Sequence, residues 1–198
     1  MARHAVPTSG STLRISNPVP DMLYGYKRGT AFRSYQAQLA TMGTEKNGTA
    51  NNQGLMFPFF VVEFEGDGPT GGGTLWAATN QCLNASASCI NIVQSLNRQL
   101  RECKNRKGRQ IDSAAFSVAM SGTEARLFVS WEENDVDFCT RQVGGFLLQR
   151  PDDFLEFRKQ VLNIIDWGAD GRLRDIRDCL EVLVEEGRAR ASDDVGPR

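Results

Sequence analysis

Apolar positions along the chain fall into two distinct periods. "FPFFVVEF" (Phe57–Phe64) is a mostly apolar run with Val61 and Val62 at its centre. Such a run is buried on both faces and predicts a central strand. Pro58 is compatible with that strand only near its beginning. Gly66–Gly73 then breaks the pattern. From Leu75 to about Cys103 the period changes: Ala78, Cys82, Ala85, Cys89, Ile92, Val93, Leu96 and Leu100 share one stripe at helical spacing. Small residues lead and large ones follow, so the first half of this helix can approach a sheet closely. "AAFSVAMSGTEARLFVSW" (Ala114–Trp131) carries two alternating runs around Ser-Gly-Thr-Glu, which predicts a β-hairpin. "DMLYGY" (Asp21–Tyr26) predicts a short aromatic strand.

The remaining segments are less regular. Lys27 to Gln53 gives a mixed signal, with helical turns in "TAFRSYQAQLA" and a loop in "GTEKNGTANNQG". Val136–Leu148 is expected to be a weak helix interrupted by Gly144-Gly145. Pro151 opens the next helix, with Asp152 and Asp153 at its positive end. Phe154, Phe157, Val161, Ile164 and Ile165 form its expected apolar face, and Gly168 its end. A last helix spans about Gly171 to Glu186, with Leu173, Ile176, Leu180 and Leu183 facing inward. Residues 1–20, which include Pro7, Pro18 and Pro20, are expected to be an extended arm, and residues 188–198 a disordered tail. That leaves one domain over residues 21–187. Strand, strand, helix, hairpin and helices in this order imply an α/β protein, a mixed central sheet flanked by helices.

Composition narrows the function classes. The chain of 198 residues is 40% hydrophobic and 24% charged, ordinary for a globular domain. A formal net charge of -1 gives no global attraction to nucleic acid, so any such binding needs a local basic patch. Arg98, Arg101, Lys104, Arg106, Lys107 and Arg109 form one dense basic stretch, read here as a solvated helix end whose cations suit the dipole. No apolar run reaches membrane-spanning length, and "MARHAVPTSGSTLRISNPVP" lacks the apolar core of a signal peptide. The expected setting is intracellular, cytoplasmic or nuclear. Cys82, Cys89, Cys103, Cys139 and Cys179 contain no C-x-x-C pair and read as reduced, mostly core thiols. Two glycosylation-like triplets, at Asn47 and Asn84, read as chance without a signal peptide. His4 is the single histidine, which argues against a histidine-based triad or a zinc site with histidine ligands. Gly71-Gly72-Gly73 lacks the Gly-Lys-Ser/Thr ending of a phosphate loop and reads as a connector. Trp76, Trp131 and Trp167 are expected to be core or helix-end anchors.

The chemistry concentrates at the end of the strand. Glu63 and Glu65 are two residues apart, so both project to the same face. Adjacent carboxylates repel unless a cation lies between them or one keeps a proton. Mg²⁺ favours such oxygen ligation, with one or two carboxylates and several waters. Asp21 opens the preceding strand and can reach the same edge if the two strands pair. Gln81 lies near the start of the helix, beside the apolar stripe. Read alone, each residue also has an ordinary explanation: a solvated glutamate pair, a turn aspartate and an exposed helical glutamine.

Pro20-Asp21, a strand ending in Glu63-x-Glu65, and a helix carrying Gln81 resemble the PD-(D/E)XK nuclease superfamily. "LYGY", "FVVEFEGDGP", "LWAATNQC", "SGTEARLFVSW" and "IIDWG" resemble an uncharacterised fungal domain family of that fold, over most of residues 20–180. The resemblance implies a restriction-endonuclease-like core with a helical C-terminal extension. It implies Asp21 and Glu63 as Mg²⁺ ligands, Gln81 as the helical glutamine, and nucleic acid as substrate. Glu65 occupies the position usually held by lysine and would act on the attacking water; Lys27 is a candidate relocated lysine. The alternative is a non-catalytic module on the same scaffold that binds a protein partner, favoured by the near-neutral charge and the missing lysine.

Overall fold

The computed structural model describes residues 1–7, 16–41, 44–66, 74–103, 110–134 and 137–193. Five strands form one mixed sheet in sequential order: β1 (Met22–Lys27), β2 (Leu55–Phe64), β3 (Ala115–Met120), β4 (Glu124–Glu133) and β5 (Asp137–Leu147). Short helices α1 (Arg28–Ala31), α2 (Gln36–Thr41) and α3 (Thr44–Gly48) fold the segment between β1 and β2. β2 and β3 are parallel, whereas every other neighbouring pair is antiparallel. A tight turn cannot join parallel strands. Helix α4 (Leu75–Arg101) makes that crossing.

The two strongest sequence signals are realised. Met56 through Glu63 of β2 are all buried, and so are all eight residues of the α4 stripe. Val61 packs with Ala85, Cys89, Ile90 and Ala115, and Ala119 and Phe128 pack with Ala78 and Cys82. The small residues at the start of α4 let the helix axis come close to the sheet. Phe116 points away from α4 and stacks edge-on against Trp167, 5.4 Å between centroids, at the end of α5 (Pro151–Trp167). Helices therefore cover both faces of the sheet.

The segment expected as a weak helix before Pro151 is strand β5. It pairs with β4 from Glu133↔Asp137 to Glu124↔Leu147, with an extra residue where Leu127 faces Gly144 but Phe128 faces Gln142. β5 is the sheet edge and most of its residues are exposed, so it lacks the alternation that marks a half-buried strand. On α5 only Ile164 is buried. Phe157, Val161 and Ile165 are half-buried, and Phe154 is exposed, contrary to its expected inward position. Trp76 is 73% exposed rather than an anchor.

Gly168 does not end the helical path either. Residues Gly168–Arg172 form a π-helical turn that leads directly into α6 (Leu173–Asp193). The turn is held by Arg172, 2% exposed, whose guanidinium lies 5.3 to 5.7 Å from the ring centroids of Tyr26, Phe59 and Trp167. Its Nη1 donates to Phe57 O (2.9 Å) and to Tyr26 Oη (3.3 Å), and Tyr26 Oη donates to Gly168 O (2.6 Å). Nε and Nη2 have no hydrogen-bond partner among the described residues, so the ring faces carry much of the stabilisation of this buried cation. Phe57 reaches it through a bulge in β2: Tyr24 pairs with Phe60, but Tyr26 with Met56. Pro58 sits inside that bulge and Phe57 adopts φ 45. The β1 residue opposite is Gly25, where a Cβ would lie 2.9 Å from Met56 O and 3.0 Å from Pro58 Cα. Inward positions Ile176, Leu180 and Leu183 of α6 are buried as expected, and the helix runs past Glu186 to Asp193. Residues 194–198 of the expected tail lie outside the described residues.

At the other terminus, Ala5 is buried and Asn91 Nδ2 donates to its carbonyl (3.2 Å). Asn97, also buried, pairs with Ile111 like a strand residue: Nδ2 donates to Ile111 O and Ile111 N–H donates to Oδ1, both 2.9 Å. Asn97→Ala strands both backbone groups in the interior. It is expected to cost about 2 kcal/mol in chemical denaturation, whereas a change at exposed Asn52 should be neutral. Among the described residues no helix is long and apolar enough to cross a membrane.

Candidate active site

β1 and β2 run antiparallel with Met22 opposite Val62, so the next position sets Asp21 opposite Glu63. Asp21 Oδ2 accepts the Phe64 N–H at 2.8 Å, which fixes its carboxylate at the end of β2. Glu63 shares the α4 face of the sheet with Val61 and is only 2% exposed. Asp21 and Glu63, from separate segments, are thereby brought together.

Beneath Glu63 lies Cys82 of α4. Its thiol is pushed up to about 12 by burial and then by the Glu63 charge, with Ser117 and the Glu63 backbone pulling weakly the other way. Ser117 Oγ, beside this thiol, is buried with no partner at hydrogen-bond geometry among the described residues. Cys82 is therefore an inert floor, not a nucleophile. Glu63 itself is lifted from 4.5 to about 7. Burial is the largest cause and the Asp21 charge the second; the Asp21 backbone opposes the rise, the carboxyl–carboxyl contact adds to it, and the Glu65 charge adds least. No Lys, Arg or His among the described residues is paired with Glu63. The strand end thus pairs a buried Glu63 with an exposed Asp21, and no described side chain neutralises Glu63.

The other expected residues divide. Glu65 continues the strand, its N–H donating to Met120 O at 2.9 Å, and stands near enough for its charge to reach Glu63. Gln81 is exposed on the flank of α4, next to Cys82, and its side chain makes no hydrogen bond with a described residue. Lys27 is not a relocated lysine: it pairs with Leu55, at the opposite end of β2 from Glu63. Six residues of the unbulged partner strand β1, roughly 20 Å, separate the two ends. The glycine connector 71–73 lies outside the described residues, as do Lys104, Arg106, Lys107 and Arg109 of the basic stretch; Arg98 and Arg101 are exposed at the end of α4.

The donor set fits a small hard cation in chemistry: two carboxylates from adjacent strands, one of them buried and uncompensated. Among the described residues no group of three or more His, Cys, Asp or Glu side chains is arranged to hold a metal. A cation here would take the remainder of its shell from water, as Mg²⁺ commonly does. Sequence reasoning missed Cys82 and Ser117 as the floor of the pair. Cys82 was readable as a buried stripe position, but its meeting with Glu63 depends on the closeness of α4 to the sheet.

The fold and site define a class: an α/β domain with a five-stranded mixed sheet, helices on both faces, and a carboxylate pair, Glu63 buried and Asp21 exposed, at the end of its second strand. The chain belongs to the family described as Domain of unknown function (DUF7924), whose model matches residues 3–180. No curated protein and no solved structure matches it significantly.

Proposed function

We propose that this chain is a metal-dependent nuclease-like domain of restriction-endonuclease-like fold, acting on the phosphodiesters of nucleic acid. One observation carries the reading: Asp21 and Glu63 oppose each other on paired strands, and no described Lys, Arg or His is paired with Glu63. The element order β1–β2–α4–β3 matches the strand, strand, helix, strand order of the PD-(D/E)XK resemblance and supports it further. Asp21 and Glu63 would hold Mg²⁺, which when bound lowers the pKa of water and stabilises charge on a phosphoryl centre. Glu65, more exposed than Glu63, would take the proton of the attacking water; Gln81 would orient it from the flank of α4. Both roles are available to neutral or anionic oxygen groups, so a lysine is not required for them.

Purified protein is expected to cleave a labelled duplex or single strand in the presence of Mg²⁺ or Mn²⁺. Glu63→Gln and Asp21→Asn should each lower the rate about a hundredfold or more, in line with the loss of a charged transition-state contact. Equal cleavage by wild type and Glu63→Gln would remove the assignment. A second reading, a protein-interaction module, draws on α5, where Phe154, Leu155 and Leu162 are exposed on a helix. Melting that is indifferent to divalent cations, with no cleavage of any substrate, would favour it.

A further inference from the structure

A second site lies at the other end of β1. A groove of about 1060 Å³ opens there, and His4, Lys27, Arg28, Lys46, Asn52 and Gln53 are among its walls. Three separate segments supply them: the first residues of the chain, the β1–α1 junction, and α3 with the turn that follows. None of its described lining residues is Asp or Glu, and none is Phe, Tyr or Trp. Lys27 and Lys46 are exposed, and neither forms an ion pair with a described residue. In a chain of net charge -1, such a wall of one sign is a local anion trap. Its size exceeds what a single phosphate group fills. With His4 as the one ring among its described lining residues, it offers no row of platforms for successive unstacked bases, which single-strand readers use. Cations and amides without a row of aromatic rings suit the sugar-phosphate backbone of a duplex.

We propose that this groove binds the phosphate backbone of a nucleic-acid duplex. The proposal rests on the nuclease-like reading for its choice of polymer, and adds to it where the duplex is held. Asp21 and Lys27 are six strand residues apart, roughly 20 Å along β1. That distance spans about six base-pair steps at 3.4 Å each. A duplex lying along the β1 edge would be gripped at Lys27 and Lys46 while a phosphodiester on the same helix reached Asp21 and Glu63.

The test is fluorescence anisotropy of labelled 20-base-pair DNA and RNA duplexes of one sequence, titrated with full-length protein in EDTA over a range of KCl. Wild type is expected to bind at least one duplex, with log K falling linearly against log salt. Lys27→Gln/Lys46→Gln should bind ~10-fold or more weakly near 0.1 M salt, and its slope should be shallower by about 2, one for each lost phosphate contact. Both lysines are exposed, so an unchanged melting temperature verifies folding. Binding is read in EDTA and cleavage separately in Mg²⁺, so a wild type that binds a duplex but never cleaves it overturns the nuclease reading and leaves the groove standing. The groove assignment is overturned if the double variant keeps wild-type affinity and slope, if neither duplex binds, or if pyrophosphate displaces the probe at micromolar concentration. The DNA and RNA arms identify which duplex is held.

Discussion

Gly168→Ala is expected to destabilise the protein by about 3 kcal/mol and to lower its melting temperature by roughly 10 °C. Gly168 has φ -64 and ψ -42, an ordinary right-handed helical conformation that alanine adopts readily. On backbone grounds the substitution would be favourable. The obstacle is the neighbour: a Cβ here would lie 2.1 Å from Phe59 Cζ and 2.2 Å from Cε2. Phe59 cannot turn aside cheaply. Its ring stacks on Tyr26 at 5.5 Å, meets Trp167 edge-on at 5.9 Å, and lies under the Arg172 guanidinium at 5.3 Å. Making room therefore disturbs the cluster that joins the α5–α6 turn to β1 and β2. Gly171, in the same turn, has nothing within 4 Å of its Cβ position. Gly171→Ala should be neutral or stabilising by up to about 1 kcal/mol. Denaturant titration of the two variants separates packing from backbone effects. Phe59→Leu combined with Gly168→Ala should lose less than the sum of the single changes, because the ring that blocks the methyl is gone. A Gly168→Ala protein as stable as wild type would mean that Phe59 does not press on this turn.

The contrast between these two glycines explains where sequence reading succeeds and where it stops. β2 and α4 were legible because long apolar signals of clear period leave one consistent burial. The β3–β4 hairpin was legible from its alternation and from the turn at Ser121, whose N–H donates to Glu124 O at 2.8 Å. β5 was not, because an edge strand exposed along most of its length has no apolar face to display, and Gly144-Gly145 reads like an interrupted helix. Gly168 resembled a helix terminator, yet its smallness serves a ring 109 residues earlier in the chain. The acid pair was half legible. Asp21 opposite Glu63 follows once β1 and β2 pair, a local antiparallel register. The position of Lys27 required the same register followed to its other end. The cationic groove joins three segments, and no spacing in the sequence announces that meeting.

The larger pH effect belongs to Glu63. Stability is expected to fall by about 3 kcal/mol as pH rises from 4.5 to 7, and Glu63→Gln should abolish that part of the profile. The ordinary carboxyl value is 4.5 and the folded value is about 7. Below 4.5 both folded and unfolded chains hold the proton, and the contribution of Glu63 is fully present. Between the two values the unfolded chain releases its proton while the folded chain keeps it, so each step upward in pH favours unfolding. Above 7 both are ionised and the loss is complete. Other carboxylates titrate too, so the informative quantity is the difference between wild type and Glu63→Gln at each pH, measured in urea. That difference should be near its minimum at pH 4.5, and by pH 8 the glutamine variant should be the more stable protein. The same titration reports on metal. A divalent cation can bind only the ionised pair, so Mg²⁺ or Mn²⁺ should raise wild-type stability at pH 8 and have no effect at pH 5. At a hundredfold excess over its dissociation constant the gain is about 2.7 kcal/mol, close to what ionisation removed. Glu63→Gln should show no such gain. A wild-type profile that is pH-dependent as expected but indifferent to either cation would leave Asp21 and Glu63 as a proton-sharing pair rather than a metal site. A flat profile would mean that the Glu63 carboxyl is not held away from water at all.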